Sequence, residues 1–222
     1  MQIKACLFDL DGVIVDTAKF HFIAWKEIAA GLGFEFTEKD NELLKGVSRM
    51  RSLDILLETG KISKSEEEKI QLANRKNARY LEYVLQMKAE DILPGVERFL
   101  NDLRSNGILI ALGSASKNAP LILDRIHLAE KFDVVVDGNS VSKAKPDPEV
   151  FLKAAEMVAV APGRCIVFED AIAGIEAALN AGMICIGIGR KSILKDAHLV
   201  VKGLYEINLK KLIDLEKRLG YE

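Results

Sequence analysis

The sequence predicts an α/β protein with a doubly wound, Rossmann-like parallel sheet and a small all-α helical cap domain inserted after the first strand. Short apolar runs recur along the 222 residues, and several are nearly all apolar rather than alternating. Such runs are typical of strands that helices cover on both faces. Helical stretches separate most of the runs, and this alternation indicates a parallel sheet. Residues 16–91 contain no convincing strand, which indicates the helical insertion.

The predicted strands are short and mostly aliphatic. They cover residues 3–8, 108–112, 134–136, 165–168, 184–188 and 199–201. The three cysteines, Cys6, Cys165 and Cys185, each lie within one of these runs. Their spacing fits no zinc site, so we interpret them as buried free thiols of a cytoplasmic protein rather than as redox residues.

Three helices of the predicted core have clear boundaries. Pro94 and Gly107 bracket the first, whose apolar residues recur at spacings of three and four. A second helix covers residues 171–181 and is ended by Gly182, since glycine commonly follows a helix. A third helix, over residues 207–219, follows the last strand.

The insertion is predicted to hold three or four helices. Thr17 precedes the first and is expected to cap it, because a threonine oxygen can accept a hydrogen bond from a free N–H at a helix start. Residues 42–57 are predicted to form one or two further helices, and residues 65–86 a long charged helix. We interpret the charges of the long helix, including Lys76, as a solvated face.

These elements divide the chain into two domains. Residues 1–15 and 93–222 form the predicted α/β catalytic core, and residues 16–92 form the predicted cap. The linkers near residues 15–16 and 91–94 are the expected hinges between the two.

The charge balance excludes several functions. There are 31 Lys and Arg residues against 33 Asp and Glu, a formal net charge of −2, whereas a nucleic-acid-binding protein usually has a strongly basic face. No apolar run approaches the ~20 residues of a membrane span. The acidic Asp9 comes too early for the apolar region of a signal peptide. We therefore expect a cytoplasmic protein that binds neither nucleic acid nor a membrane.

Polar side chains follow three of the predicted strands directly. They are Asp9, Asp11, Ser114, Glu169 and Asp170. The carboxyl ends of parallel strands meet at one edge of a sheet, where ligands bind. Lys145 lies between Ser114 and Glu169 along the chain and supplies a positive charge.

Four carboxylates in one pocket repel one another, by about 4 kcal/mol for a pair at ~4 Å in an effective dielectric of ~20. A divalent cation relieves the repulsion, and an all-oxygen set without His or Cys suits Mg²⁺ rather than zinc. Lys145, Ser114 and backbone N–H groups would bind phosphate oxygens. The combination predicts phosphoryl transfer, in which one Asp is the nucleophile and the other moves a proton.

In their order along the chain, these residues resemble the four motifs of the haloacid dehalogenase superfamily. The matching segments are Asp9-Leu-Asp-Gly-Val-Ile-Val-Asp-Thr, Ser114, Lys145 with Pro146, and Glu169-Asp170. The resemblance covers essentially the whole chain and implies that Asp9 is the nucleophile and a Mg²⁺ ligand. It implies that Asp11 is the general acid/base and provides a backbone carbonyl to the metal. It further implies that Asp170, with Glu169 beside it, completes the metal site, and that Ser114 and Lys145 hold the transferring phosphate.

Within the superfamily, further segments are similar to those of sugar-phosphate mutases. They are Leu44-Lys-Gly-Val-Ser-Arg-Met-Arg-Ser-Leu, His21 with Trp25, and Ser114-Ala-Ser-Lys-Asn. The similarity implies that the substrate site includes Thr17, His21, Trp25, Lys45, Gly46, Val47, Ser48, Arg49, Ser52, Lys76, Ala115, Ser116, Lys117 and Asn118. Arg49 is expected to bind the phosphate that is not transferred, since its planar guanidinium pairs with phosphate at two points.

Three of these residues also have simpler interpretations. Arg49 could lie in water at a helix start, and Lys76 could be a solvated surface lysine. His21 could be a partly buried residue packed by Trp25. Its alternative role is a hydrogen bond near Asp11, because it lies one helical turn after Thr17.

The implied reaction interconverts β-D-glucose 1-phosphate and D-glucose 6-phosphate, an intramolecular phosphotransfer. Phosphorylated Asp9 passes its phosphoryl group to the sugar, and β-D-glucose 1,6-bisphosphate is the intermediate and activator. The resemblance also implies a monomer whose partners are small sugar phosphates. Two alternatives stay open: a sugar-phosphate phosphatase on the same scaffold, and a non-catalytic phosphate-binding module. The intact carboxylates and Lys145 count against the module.

Overall fold

The computed structural model of the protein describes residues 2–220, and within them the strands form a six-stranded parallel sheet. The strands are β1 (Ala5–Phe8), β2 (Leu109–Gly113), β3 (Val134–Val136), β4 (Cys165–Glu169), β5 (Ile184–Ile188) and β6 (Leu199–Val201). Their order across the sheet is β3-β2-β1-β4-β5-β6, so β1 lies between β2 and β4. The direction of winding reverses at β1, and ligands bind in the crevice at such a point.

Helices cover both faces of this sheet. They are α5 (Val96–Ser105), α6 (Ala119–Arg125), α7 (Glu149–Met157), α8 (Ile172–Asn180) and α9 (Leu209–Arg218). On β1, Cys6 and Phe8 pack with residues of α5, α6 and α9, whereas Ala5 and Leu7 pack with residues of α7 and α8. Successive side chains of a strand point to opposite faces. This double burial explains the continuously apolar strands and confirms the predicted fold class.

Four helices lie between β1 and α5 along the chain. They are α1 (Ala18–Gly31), α2 (Glu38–Glu42), α3 (Arg49–Gly60) and α4 (Glu66–Val84). Their apolar side chains form a separate core around Trp25, Phe36 and Leu53. No strand lies in this stretch of the described chain, which confirms the predicted all-helical insertion.

The two linkers between the insertion and the sheet lie side by side. Val15 and Ile92 form an antiparallel bridge, and the Leu93 N–H donates to the Ile14 carbonyl at 2.9 Å. A short 3₁₀ turn, Ala89–Asp91, precedes the second linker. The insertion is thus attached through a paired connection at the positions predicted as hinges.

Three details differ from the sequence prediction. The Thr17 side chain makes no cap bond, although α1 begins at the next residue, because its hydroxyl is bonded to Asp11. The stretch 42–57 is interrupted by a loop, residues 43–48, in which the φ of Gly46 is +73°, a value that favours glycine. The sequence prediction omitted α6 and α7, because both are short and both begin in a segment that contains proline.

The cysteines Cys6, Cys165 and Cys185 are buried and form no disulfide, as predicted. Burial raises the pKa of each thiol, which keeps the sulfur protonated and unreactive. Among residues 2–220, none of the helices combines the length and the apolarity that crossing a bilayer requires.

Candidate active site

The carboxyl end of β1 carries a buried set of charges. Lys145 Nζ lies 2.6 Å from Asp9 Oδ1 and 2.8 Å from Glu169 Oε2, and all three residues are buried. Burial acts to lower the pKa of Lys145, but the two carboxylates outweigh it and raise the pKa above its usual range. The amine therefore stays charged and can hold an anionic group beside Asp9.

Asp9, Glu169 and Asp170 form an acidic cluster at this edge of the sheet. One carboxylate oxygen from each lies within 4.8 Å of the others. Burial raises the pKa of Asp170 well above its usual range, and the charges of Glu169 and Asp9 raise it further. Burial also raises the pKa of Glu169 to about 7. The cluster consists of crowded carboxylate oxygens whose negative charge is not fully balanced, and it contains no His or Cys. Such a donor set fits the ligand preference of Mg²⁺.

The turn after Asp11 depends on Gly12. Its φ is +79°, a backbone conformation that L side chains rarely adopt. A Cβ on this residue would also collide with the Asp170 carboxylate. The glycine therefore lets the loop after β1 lie directly against the residues that follow β4.

Asp11 lies at the edge of the cleft, with its side chain 25% exposed. Its Oδ1 accepts a hydrogen bond from the hydroxyl of Thr17, which is fully buried behind it. His21 Nε2 lies 3.9 Å from the same oxygen. Burial and the charge of Asp9 raise the pKa of Asp11 to about 6. A carboxyl group of this acidity can both release and accept a proton near neutral pH.

Lys76 lies behind His21 rather than in water. It is 2% exposed, and its Nζ is 2.6 Å from His21 Nδ1. The amine also lies 5.0 Å from the ring centre of Trp25 and 4.6 Å from that of Tyr80. Burial and the charge of Arg49 lower the pKa of Lys76 to about 7. The interpretation of Lys76 as a solvated surface lysine is therefore wrong.

The charged form of Lys76 determines the tautomer of His21. When Lys76 is charged, its amine has donors only, so His21 Nδ1 accepts and the ring proton is on Nε2, the atom that faces Asp11. Burial and the charges of Lys76 and Arg49 lower the pKa of His21 well below its usual range, which keeps the ring neutral. The ring packs on Tyr80, with centroids 4.2 Å apart. This position favours the interpretation of His21 as a partner of Asp11.

The loop after β2 presents polar groups to the cleft. Ser114 is buried, and its Oγ accepts from the Ser116 N–H at 3.1 Å. Ser116 Oγ in turn accepts from the Asn118 N–H at 3.2 Å. These two bonds hold the loop in a tight turn, and the exposed Lys117 adds a positive charge to it.

The loop between α2 and α3 approaches the core closely. A Cβ on Gly46 would lie 2.8 Å from the Cβ of Ala171, which is closer than a side chain can pack. Lys45 Nζ is 3.8 Å from Asp170 Oδ2. Arg49 begins α3 and is half-buried, and within the described residues it forms no ion pair with a carboxylate. A half-buried, unpaired guanidinium can bind an anionic ligand.

Most of the predicted site residues line one cleft of about 480 Å³, a size typical of small-molecule sites. Those that line it are Asp9, Asp11, His21, Trp25, Lys45, Gly46, Val47, Ser48, Arg49, Ser52, Lys76, Ser114, Ala115, Ser116, Lys117, Asn118, Lys145 and Asp170. Thr17 and Glu169 do not line it: the first lies behind Asp11 and the second behind Lys145.

Sequence reasoning missed Tyr80, which packs on His21, and Asn77, which lines the cleft. A usable signal was present on α4. Its buried residues recur at spacings of three and four, at Ala73, Lys76, Tyr80 and Val84. The lysine thus occupies a position of the apolar stripe, which indicates burial.

The fold and the cleft together define a class of protein. They describe an α/β enzyme that has a helical cap and acts on phosphate esters. Its carboxylates and a fixed amine lie at β1, where the direction of winding of the sheet reverses. Comparison with known proteins gives the family.

A family model of haloacid dehalogenase-like hydrolases matches residues 3–182. The β-phosphoglucomutase of Bacillus subtilis (strain 168) is 43% identical over 211 residues, 94% of this chain and 93% of that protein. A phosphorylated carbohydrates phosphatase of Thermotoga maritima is 34% identical over 182 residues, 81% and 82% of the two chains. The crystal structure of β-phosphoglucomutase from Clostridium difficile superposes with a TM-score of 0.93 at 43% identity, covering 98% of both chains. The chain therefore belongs to the haloacid dehalogenase-like hydrolase family.

Proposed function

We propose that the protein acts as a Mg²⁺-dependent β-phosphoglucomutase, which interconverts β-D-glucose 1-phosphate and D-glucose 6-phosphate. The observation that carries the proposal is that cationic groups line two different parts of one cleft: Lys145 beside Asp9, and Arg49, which has no carboxylate partner in the described chain, at the start of α3. An enzyme that moves a phosphoryl group between the two ends of a sugar must hold two phosphates. A phosphatase needs only the site beside the nucleophile. The similarity to mutases from two organisms supports the same assignment.

Asp9 is the proposed nucleophile, and the active form carries a phosphoryl group on its carboxylate. A sugar hydroxyl attacks the phosphorus, Asp11 takes the hydroxyl proton, and the bond from phosphorus to the Asp9 oxygen breaks. The product is β-D-glucose 1,6-bisphosphate, which turns around in the cleft. Asp9 then attacks the other phosphate, and Asp11 returns the proton to the departing sugar oxygen.

Positioning residues support these proton transfers. The Thr17 hydroxyl orients the Asp11 carboxylate, and neutral His21 presents Nε2–H toward it. Lys145 and Ser114 bind the oxygens of the transferring group. The acidic cluster and the Asp11 carbonyl would hold Mg²⁺, which when bound balances negative charge on the phosphoryl oxygens.

The cap decides which acceptor reaches the aspartyl-phosphate. Water competes with the sugar, so a mutase must exclude it during transfer. The contact between Gly46 and Ala171 and the approach of Lys45 to Asp170 bring the loop between α2 and α3 against the core beside the acidic cluster. Opening at the paired linkers would let the bisphosphate reorient.

A sugar-phosphate phosphatase is the second candidate, because the Thermotoga maritima relative is named a phosphorylated carbohydrates phosphatase and the match covers 81% of the chain. It would use the same core residues and admit water as the acceptor. A non-catalytic phosphate-binding module is the third candidate. It would neither turn over a phosphate ester nor lose ligand affinity when Asp9 is changed to Asn.

The deciding assay supplies β-D-glucose 1-phosphate, a trace of the 1,6-bisphosphate and Mg²⁺, and measures glucose 6-phosphate and inorganic phosphate together. We expect glucose 6-phosphate from the unchanged chain and neither product from Asp9→Asn. Inorganic phosphate as the main product would identify a phosphatase. Absence of both products, with unchanged ligand binding by Asp9→Asn, would favour the binding module.

A further inference from the structure

A hydrogen bond crosses from the helical insertion to the core at the cleft. Asn118 Nδ2 donates to Asn77 Oδ1 at 3.0 Å, although 41 residues separate the two along the chain. Asn77 lies on α4, and Asn118 lies in the loop after β2. Both side chains line the cleft that contains Asp9. The bond therefore requires the insertion and the core to lie against each other.

Each end of this bond is attached to a part of the proposed machinery. On the core side, the Asn118 N–H is bonded to Ser116 Oγ, within the loop that follows the phosphate-binding Ser114. On the cap side, Asn77 follows Lys76, whose amine contacts His21. The bond thus connects the substrate-binding loop with the helix that supports the acid/base group.

The two amides keep unused polar groups. Asn77 retains its Nδ2 donor and Asn118 its Oδ1 acceptor, and neither group has a hydrogen-bond partner among residues 2–220. A sugar hydroxyl both donates and accepts, so it can bond to the two amides at once, whereas a phosphate dianion only accepts. The pair therefore matches a hydroxyl group of the substrate.

We propose that Asn77 is a positioning residue that couples recognition of the sugar to closure of the cap, an inference that rests on the mutase function proposed above. A sugar hydroxyl that bridges the two amides stabilises the contact between α4 and the loop after β2. Closure is then strongest when a sugar, rather than water, is available to accept the phosphoryl group. Asn77 thereby favours the sugar as acceptor without touching the reacting atoms.

The test compares Asn77→Ala with Gln71→Ala in the full chain. Gln71 lies on the same helix six residues earlier, is exposed, is not among the residues that line the cleft, and forms no hydrogen bond to the core within the described chain. Each variant receives β-D-glucose 1-phosphate, a trace of the 1,6-bisphosphate and Mg²⁺, and both glucose 6-phosphate and inorganic phosphate are measured. Thermal unfolding of each variant is recorded as well. Alanine is a better helix former than asparagine or glutamine, so neither variant is expected to lose stability through α4 itself.

We expect Asn77→Ala to form glucose 6-phosphate about 3- to 10-fold more slowly, the range for loss of a neutral hydrogen bond. Its release of inorganic phosphate should not fall, so the ratio of isomer to phosphate drops by the same factor. Gln71→Ala should stay within about twofold of the unchanged chain, as an exposed substitution does.

An unchanged ratio in Asn77→Ala, or an equal fall of both products with a lower midpoint of unfolding, would overturn the inference and leave Asn77 a structural residue. The mutase proposal is judged separately, on the unchanged chain. If that chain releases only inorganic phosphate, the proposed function is wrong and the inference is wrong with it.

Discussion

Lys145 Nζ and Asp9 Oδ1 lie 2.6 Å apart in the interior, although 136 residues separate them along the chain. Glu169 contacts the same amine at 2.8 Å. One cation thus balances two buried carboxylates and fixes the proposed nucleophile relative to the proposed phosphate-binding amine. The stability and the chemistry of the molecule therefore depend on the same ion pair.

Lys145→Ala should lower the free energy of unfolding by about 3–5 kcal/mol, because it leaves buried carboxylates without their partner. Turnover should be lost as well. Lys143→Ala is the matched control: its side chain is 70% exposed and pairs with Asp147 at 3.5 Å. The control should change stability by less than about 1 kcal/mol. Urea unfolding measures both, and equal stabilities of the two variants would contradict the assigned role.

Asp11→Asn should slow isomer formation by about 10²- to 10⁴-fold, the usual contribution of general acid/base catalysis. The fold should remain, because Asn still accepts a hydrogen bond from the Thr17 hydroxyl. Asp16→Asn, an exposed change at the end of the same loop, should have little effect. Steady-state kinetics on β-D-glucose 1-phosphate measure both rates. Near-normal turnover by Asp11→Asn would show that Asp11 is not the general acid/base.

Arg49→Ala should reduce the mutase reaction about 10- to 100-fold, as expected for loss of a charge-assisted hydrogen bond. Release of phosphate from a small ester such as 4-nitrophenyl phosphate should change far less, since that ester has no second phosphate. Arg51 provides the control, because it is exposed and pairs with Glu58 at 3.1 Å. Equal losses on both substrates would show that Arg49 does not bind the distal phosphate.

Lys76→Met should raise the midpoint of thermal unfolding at pH 7 while lowering activity. The pKa of Lys76 is about 7 in the folded chain and about 10.4 when unfolded. Between these values the unfolded chain binds more protons, so the stability of the unchanged chain rises with pH. The advantage of the variant should therefore shrink as the pH is raised from 7 toward 10.

The control for this pH dependence is Lys69→Met on the same helix. Lys69 pairs with Asp54 at 2.9 Å, and its carboxylate partners raise its pKa, so it does not titrate in this window. Its effect on the midpoint should be independent of pH. Two results would contradict the claim that Lys76 is buried at a cost to its charged form. One is a Lys76→Met variant that is less stable than the unchanged chain at pH 7, and the other is a difference in midpoint between the two that does not vary with pH.

The sheet could be predicted because burial on both faces requires runs of consecutive apolar residues, which are visible in the sequence. The strands Val134–Val136 and Ile184–Ile188 have the predicted bounds, since each is an apolar run between polar segments. The convergence of Asp9 with the residues after β4 followed from the rule that parallel strands end at one edge. Their catalytic roles stay predictions.

The positions of Lys76 and Thr17 were predicted less well, because local sequence allows two outcomes at each. A lysine on a charged helix is usually solvated, and the apolar stripe of α4 was the one sequence sign of its burial against Trp25 and Tyr80. A threonine before a helix usually caps it, but here the Thr17 hydroxyl donates its hydrogen bond to Asp11 instead. In both cases a tertiary contact replaced the local preference.

Phosphorus NMR tests the central claim most directly. The chain is mixed with Mg²⁺, β-D-glucose 1-phosphate and a trace of the 1,6-bisphosphate, and the spectra are followed with time. We predict that the 1-phosphate signal is replaced by that of glucose 6-phosphate with little inorganic phosphate, that chelation stops the change, and that Asp9→Asn shows none. Inorganic phosphate as the main product, or normal isomerisation by Asp9→Asn, would contradict the account.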